Sequence, residues 1–229
     1  KTGFALLYMD RLNDLRNIYK GEAHEDEMVG YYPLAAFGDS RVAASIDTPL
    51  HGFLPFPHVD HLHPDWAIAI AAAANGKEKL AEFNAKFNHK VVWLPWQRPG
   101  FELGLMLSKA VADNPGCDGI LLGSHGLFTW GDTQRDCYIA SVRMIDDMGK
   151  FLHEHEQSMK SPAFGAALFK HRDDAPAVAA AILPYLRGAV GQLKRSVGHY
   201  NDSADVREFA NSERAADLAK LGTSCPDHF

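Results

Sequence analysis

The sequence has few of the features that define several large classes of protein. Its 229 residues include only 3 cysteines, which lie far apart, at Cys117, Cys137 and Cys225. They form neither a disulfide framework nor a CxxC zinc pair, so the sequence predicts a reducing, cytoplasmic environment. No apolar run approaches the ~20 residues that a membrane span needs, and we expect neither a membrane segment nor a signal peptide.

Positive charge is also scarce. The chain carries 23 lysines and arginines against 29 acidic residues, a formal net charge of -6. This balance gives no electrostatic footprint for nucleic acid or for an anionic membrane, so we expect neither as a partner. Residues 1–229 also contain no glycine-rich dinucleotide loop between a strand and a helix. The chain opens at Lys1 without a methionine and stops at "TSCPDHF", so we expect it to be a fragment of a longer polypeptide.

What the chain does have is an ordinary globular composition, with 46% hydrophobic and 23% charged residues. We therefore expect one domain over residues 1–229. Strand and helix patterns alternate without a clean βαβ rhythm, which favours a layered α/β or α+β fold. The predicted helices cover residues 3–19, 64–76, 77–87, 100–116, 133–155, 176–186 and 212–221. The predicted strands are "HGFLPF" with the first histidines, "KVVWLPW", "GILLGS", "LFTW" and "KRSVGHY".

The stretch "FPHVDHLHPDW", residues 56–66, places three histidines just before an alanine-rich helix. On a strand, the two-residue spacing of His61 and His63 would point both rings to one face. His58 would face the other way, so we expect it to support the ligands from outside the metal's coordination sphere or to lie in a loop. Two histidines alone are weak grounds for a metal site, and a surface role stays open at this point.

A third histidine, His125, lies in "LLGSHGLFTWG" at the end of a predicted buried strand. Glycines on both sides let the backbone turn tightly and bring the ring close to another element. Three imidazoles with one open position are the arrangement of a catalytic zinc ion, which needs room for water or substrate.

Three motifs together resemble the class II aldolase and adducin family. They are "HLHPDWA", "LLGSHGLFTWG" and the upstream "AASIDTPLH", and they occur in the family's order. The resemblance implies that His61, His63 and His125 bind Zn²⁺ or another divalent cation. It also implies that Asp47 is the catalytic carboxylate and that Ser45 binds the substrate phosphate.

The family resemblance further implies a layered fold, with a central mixed, mostly antiparallel sheet and helices on both faces, and a homotetramer. "EDEMVGYYP", "SIDTPLHGFLPFPHVDHLHPD" and "TSCPDHF" are most similar to the aldolase part of bacterial proteins that fuse a rhamnulose-1-phosphate aldolase to a short-chain dehydrogenase. Two departures stand out. Aldolases of the family usually carry glutamate where this chain has Asp47, and its glycine-rich phosphate loop would precede Lys1.

The implied reaction explains the residue types. Retro-aldol cleavage leaves an enediolate, whose negative charge a divalent cation held by neutral imidazoles can stabilise. We therefore expect a metal-dependent aldolase that cleaves L-rhamnulose 1-phosphate to dihydroxyacetone phosphate and L-lactaldehyde. A pentulose-phosphate 4-epimerase is the enzymatic alternative, since the epimerases carry aspartate at this position. A non-catalytic adducin-like assembly module is the third, although adducin-type heads lack the three histidines.

Each candidate also has a structural interpretation. Asp47 could cap a simple Asx turn, and His51 is expected to be a packed structural residue. "HEHE", residues 153–156, resembles a metal motif, but its spacing on a helix points the two rings to different sides. Trp93, Trp96 and Trp130 are expected in core and interface, and neither Cys225 nor His228 is expected to join the site.

Overall fold

The computed structural model describes residues 3–39, 42–159, 162–170, 172–192, 194–195 and 197–222. These residues fall into two compact units, one up to His155 and the other from Glu156 onward. The prediction that residues 1–229 form one domain stays a prediction. Within the described part of the chain, every helix is too short or too polar to cross a membrane.

The first unit is built on a four-stranded sheet. Its strands are β1 (His58–Leu62), β2 (Val91–Leu94), β3 (Gly119–Leu122) and β4 (Leu127–Gly131), and they lie in the order β1-β4-β3-β2. The β1–β4 and β3–β4 pairs are antiparallel, whereas β2 and β3 are parallel. The sheet is therefore mixed and mostly antiparallel, as predicted.

In the described part of the chain, seven α-helices accompany the sheet. They are α1 (Met9–Asp14), α2 (Glu25–Val29), α3 (Thr48–Gly52), α4 (Asp65–Ala71), α5 (Gly76–Phe87), α6 (Phe101–Asp113) and α7 (Gln134–Gln157). The second unit contains α8 (Ala175–Val190), α9 (Ala204–Ala210) and α10 (Ala215–Ala219). The predicted helix over 176–186 is thus present and longer, while the predicted closing helix covers only part of 212–221.

Side chains alternate between the two faces of the sheet, and each face is covered by helices. Leu121 and Leu127 pack with apolar residues of α4, α5 and α7 on one face. Ile120, Leu122 and Phe128 pack with α3 and α6 on the other face. A strand's two-residue period produces this division, because successive side chains point to opposite sides. The layered fold with helices on both faces is confirmed.

Several predicted boundaries were wrong. The predicted helix 3–19 is α only over Met9–Asp14, because Leu7 instead bridges Ala36 in an extended segment. The predicted strand "HGFLPF" begins inside α3, which has a proline in its first turn, where proline suits a helix. The helix after Pro64 ends at Ala71, and Gly76 starts the next helix rather than capping this one. No strand forms in residues 194–195 and 197–200, the described part of "KRSVGHY".

Candidate active site

The structure brings His61, His63 and His125 together at one end of the β1–β4 pair. His61 is in β1, His63 lies one residue beyond its end, and His125 is in the turn between β3 and β4. The antiparallel pairing of β1 with β4 is what joins them, since it places Leu62 opposite Leu127, two residues after His125. We call these three residues the histidine triad.

The triad has the spacing of a metal site. Its candidate ligand atoms all lie within 4.8 Å of one another. The His61 Nε2 atom is 3.1 Å from His63 Nε2 and 3.3 Å from His125 Nε2. A tetrahedral ion with metal–nitrogen bonds of ~2.0–2.1 Å would separate its ligands by about 3.3 Å. Three imidazole nitrogens at this spacing could hold a divalent cation.

His61 is held in the form that a metal ligand needs. Its Nδ1 atom lies 3.2 Å from the Leu127 carbonyl oxygen, which can only accept a hydrogen bond, so Nδ1 carries the proton and Nε2 the lone pair. The pKa of His61 is lowered to about 3, chiefly by burial and in smaller part by the neighbouring imidazoles, while the bond to Leu127 acts in the opposite direction. The ring also stacks on Phe128, with centroids 4.1 Å apart at an angle of 6°.

The turn that carries His125 needs glycine for close packing more than for backbone conformation. The residue with a left-handed backbone conformation in this turn is Ser124, with a φ of 52°, and neither Gly123 nor Gly126 has a positive φ. Gly126 is instead required by close packing. A Cβ atom there would lie 2.9 Å from His61 Cε1 and closer still to His63 Cδ2. The absence of a side chain therefore lets the triad close.

Asp47 and Ser45 line a cavity of about 1030 Å³. The triad residues are not part of its lining, but His51 is, and the centroid of its ring lies 6.4 Å from that of His61. Asp47 stands just before α3, and its carboxylate makes no capping hydrogen bond to that helix. The Asp47 backbone N–H instead donates to Ser45 Oγ, at 2.9 Å. The turn is thus closed by the serine hydroxyl, which leaves the aspartate carboxylate available to the cavity. This geometry counts against the Asx-turn interpretation, and the roles of Asp47 and Ser45 stay predictions.

The remaining histidines take other places. His58 lines the cavity, on the face of β1 opposite His61. His153 and His155 are exposed near the end of α7, where the His153 ring packs against Trp66. His51, expected to be packed, is exposed to the cavity, and it is the residue whose position the sequence least indicated. Cys225 and His228 lie outside the described residues.

The three tryptophans are divided between core and surface. Trp93 packs against the layer that contains α5. Trp130 stacks on Phe56, with centroids 4.4 Å apart, while 61% of Trp96 is exposed.

Several solved structures and curated proteins are similar to this chain. The N-terminal class II aldolase domain of a conserved protein from Thermoplasma acidophilum is 29% identical, with a TM-score of 0.56, over 64% of this chain and 65% of that one. A sugar-phosphate aldolase from Thermotoga maritima is 16% identical, with a TM-score of 0.44, over 56% and 59% of the two chains. The uncharacterized oxidoreductase YuxG of Bacillus subtilis (strain 168) is 36% identical over 221 residues, which are 95% of this chain and 31% of YuxG.

Two family profiles match the sequence itself. The profile of the aldolase class II second domain covers residues 177–229. That of the class II aldolase and adducin N-terminal domain covers residues 16–146, the stretch that holds Asp47 and all three triad histidines. The chain therefore belongs to the class II aldolase and adducin family.

Proposed function

We propose that the protein is a zinc-dependent aldolase that cleaves a ketose 1-phosphate, specifically L-rhamnulose 1-phosphate, to dihydroxyacetone phosphate and L-lactaldehyde. The observation that carries the proposal is the histidine triad, together with a cavity lined by a carboxylate without a capping role and by His51, whose ring centroid lies 6.4 Å from that of His61. A divalent cation bound there would supply Lewis-acid stabilisation of the negative charge that develops when the carbon–carbon bond breaks.

The chain's own residues would divide the remaining work. The triad histidines would hold the cation without cancelling its charge, because neutral imidazoles add none. Asp47 would move the proton at the reacting carbon or hydroxyl group, and Ser45 would contact the substrate phosphate. By family resemblance we also propose a homotetramer in the cytoplasm. The fusion to a dehydrogenase stays a prediction, since the chain spans only 31% of the relative named an oxidoreductase.

Removal of the metal tests this proposal. Chelation of the full-length protein should abolish release of dihydroxyacetone phosphate, and added Zn²⁺ should restore it. His61→Ala and His125→Ala should each lose bound zinc by mass spectrometry. The control, His153→Ala, should retain zinc, because that ring packs against Trp66 and is not one of the clustered ligand residues. Full activity in excess chelator, with no metal detected, would contradict the mechanism.

A pentulose-phosphate 4-epimerase is the second candidate, favoured by one observation. Position 47 holds aspartate, the residue of the family's epimerases, rather than glutamate. Product analysis separates the two reactions, since an epimerase returns a pentulose phosphate of unchanged length and releases no triose. The adducin-like assembly module has less support, because all three histidines are present.

A further inference from the structure

His51 lies one helical turn after Asp47 and shares its cavity. Its backbone N–H is 3.4 Å from the Asp47 carbonyl oxygen, at the start of α3. Residues four apart lie on the same side of a helix. Both side chains line the cavity, and that of His51 is exposed rather than packed in the core. The His51 imidazole is therefore placed where a molecule bound in the cavity could contact it.

The His51 ring has a defined position relative to the triad. It meets Phe128 edge-on, with centroids 5.9 Å apart at 61°. Phe128 is the same ring on which His61 stacks, so one aromatic side chain supports both imidazoles. The centroids of His51 and His61 are 6.4 Å apart, and His51 is not one of the clustered ligand residues.

One nitrogen of the His51 ring is already used. The Nδ1 atom lies 3.2 Å from the carbonyl oxygen of Val59, in β1. A carbonyl oxygen accepts and cannot donate, so Nδ1 must carry the proton of this bond. In the neutral ring the Nε2 atom then has a lone pair and accepts hydrogen bonds. Among the described residues, none forms a hydrogen bond with this Nε2 atom.

We propose that His51 is a substrate-binding residue whose Nε2 atom accepts a hydrogen bond from a hydroxyl group of the ligand. The inference rests on the proposed function, because a ketose phosphate has several hydroxyl groups to offer at this site. The bond to Val59 sets the tautomer, and Phe128 sets the ring's position beside the triad. His51 therefore selects for a hydroxylated ligand without holding the metal.

Two substitutions separate binding from structure. In His51→Asn the amide nitrogen can still donate to Val59, but the side chain is too short to replace Nε2. In His51→Gln the longer side chain can present an oxygen near the former Nε2 position, while the Nδ1 donor is lost. With zinc-loaded, full-length protein, we expect His51→Asn to raise KM for L-rhamnulose 1-phosphate about tenfold, as the loss of one hydrogen bond would. His51→Gln should recover most of this loss, and both variants should keep their zinc.

A purely structural His51 predicts the opposite order, with His51→Asn like the wild type and His51→Gln unstable to heat. That order overturns the proposal, and so does loss of zinc from His51→Asn, which would make His51 a ligand. If the wild type cleaves no ketose phosphate, the proposed function fails, and calorimetric binding of dihydroxyacetone phosphate decides the role of His51. The proposed role of His51 is supported if only His51→Asn binds dihydroxyacetone phosphate about tenfold more weakly than the wild type. It is overturned if the wild type and both variants bind equally well, or if no protein binds.

Discussion

At the scale of single residues, Asp47 combines a position at a helix start with a carboxylate that does not cap the helix. Aspartate is common before a helix because its side chain usually accepts a backbone N–H there. Here the hydroxyl of Ser45 closes the turn instead. The Asp47 carboxylate thus stands where it could cap the helix but does not, and it is available for chemistry in the cavity.

Asp47→Asn should therefore reduce turnover by ~10²–10⁴-fold, the usual contribution of a positioned general base, while zinc content and thermal stability stay near wild type. Asparagine keeps the shape and polarity of the side chain but cannot take up a proton. Release of dihydroxyacetone phosphate and proton exchange at its reacting carbon should both be measured. Asp132→Asn, at an exposed position outside the cavity lining, is the matched control. Turnover within about twofold of wild type would leave Asp47 structural.

The residues of the site could be predicted from sequence only in part. The spacing of His61 and His63, and the glycines around His125, are local patterns that a reader of the sequence can recognise. The support given by Phe128 and by the Leu127 carbonyl is not local, because it depends on the register between β1 and β4. A shift of one residue in that register would turn every side chain of β1 to the other face.

At the scale of elements, a hydrogen-bonded chain fastens α7 to the strand that carries His61. Ser141 Oγ, in α7, donates to Asp60 Oδ2 in β1 at 2.9 Å. Thr129 Oγ1, in β4, is 2.7 Å from the same serine oxygen. The serine proton is taken by Asp60 or by the Cys137 carbonyl oxygen, which is 3.1 Å away, so the threonine hydroxyl is the donor in the second bond. Helix and strands are thereby joined behind the triad.

Ser141→Ala should lower the free energy of unfolding by about 1–3 kcal/mol, because it leaves both the carboxylate and the buried threonine hydroxyl without this partner. Denaturant unfolding of the purified protein measures the change. The comparison variant is Arg143→Ala, at an exposed position of the same helix, which should change stability by less than about 0.5 kcal/mol. Equal stabilities for Ser141→Ala and wild type would show that the chain of bonds is not stabilising.

The apolar residues of α7 do not by themselves mark its buried face. Helical spacing puts Tyr138, Val142, Ile145, Met148 and Leu152 on one side of the helix, yet 63% of Tyr138 and 44% of Val142 are exposed. The buried face instead includes Cys137, Ser141 and Met144. Hydrophobic periodicity cannot place a polar residue inside, because its burial depends on a partner such as Asp60 from a distant strand.

At the scale of the whole molecule, the low pKa of His61 links the acid stability of the fold to its site. Burial lowers this pKa from 6.5 to about 3, so the folded protein resists protonation of a ring that the unfolded chain protonates readily. The stability contributed by neutral His61 is complete above about pH 6.5 and is lost as the pH falls from there toward 3.

The metal-free protein should thus lose roughly 1–2 kcal/mol of stability between pH 7 and pH 5 through this residue. His61→Gln, which cannot titrate, should show a shallower dependence over the same interval, and the difference between the two curves isolates His61. Thermal or denaturant unfolding at several pH values provides the measurement. Parallel curves for the two proteins would mean that His61 is not protonated on unfolding.

The separation of the triad along the chain also has a consequence for folding. His61 and His125 are 64 residues apart in sequence, and their nitrogens meet only once β1 has paired with β4. A cation that joins them closes a long loop, much as a cross-link does, and it finds no such arrangement in the unfolded chain. Binding of the cation would therefore be coupled to folding, and its removal would lower the stability of the β1–β4 pairing.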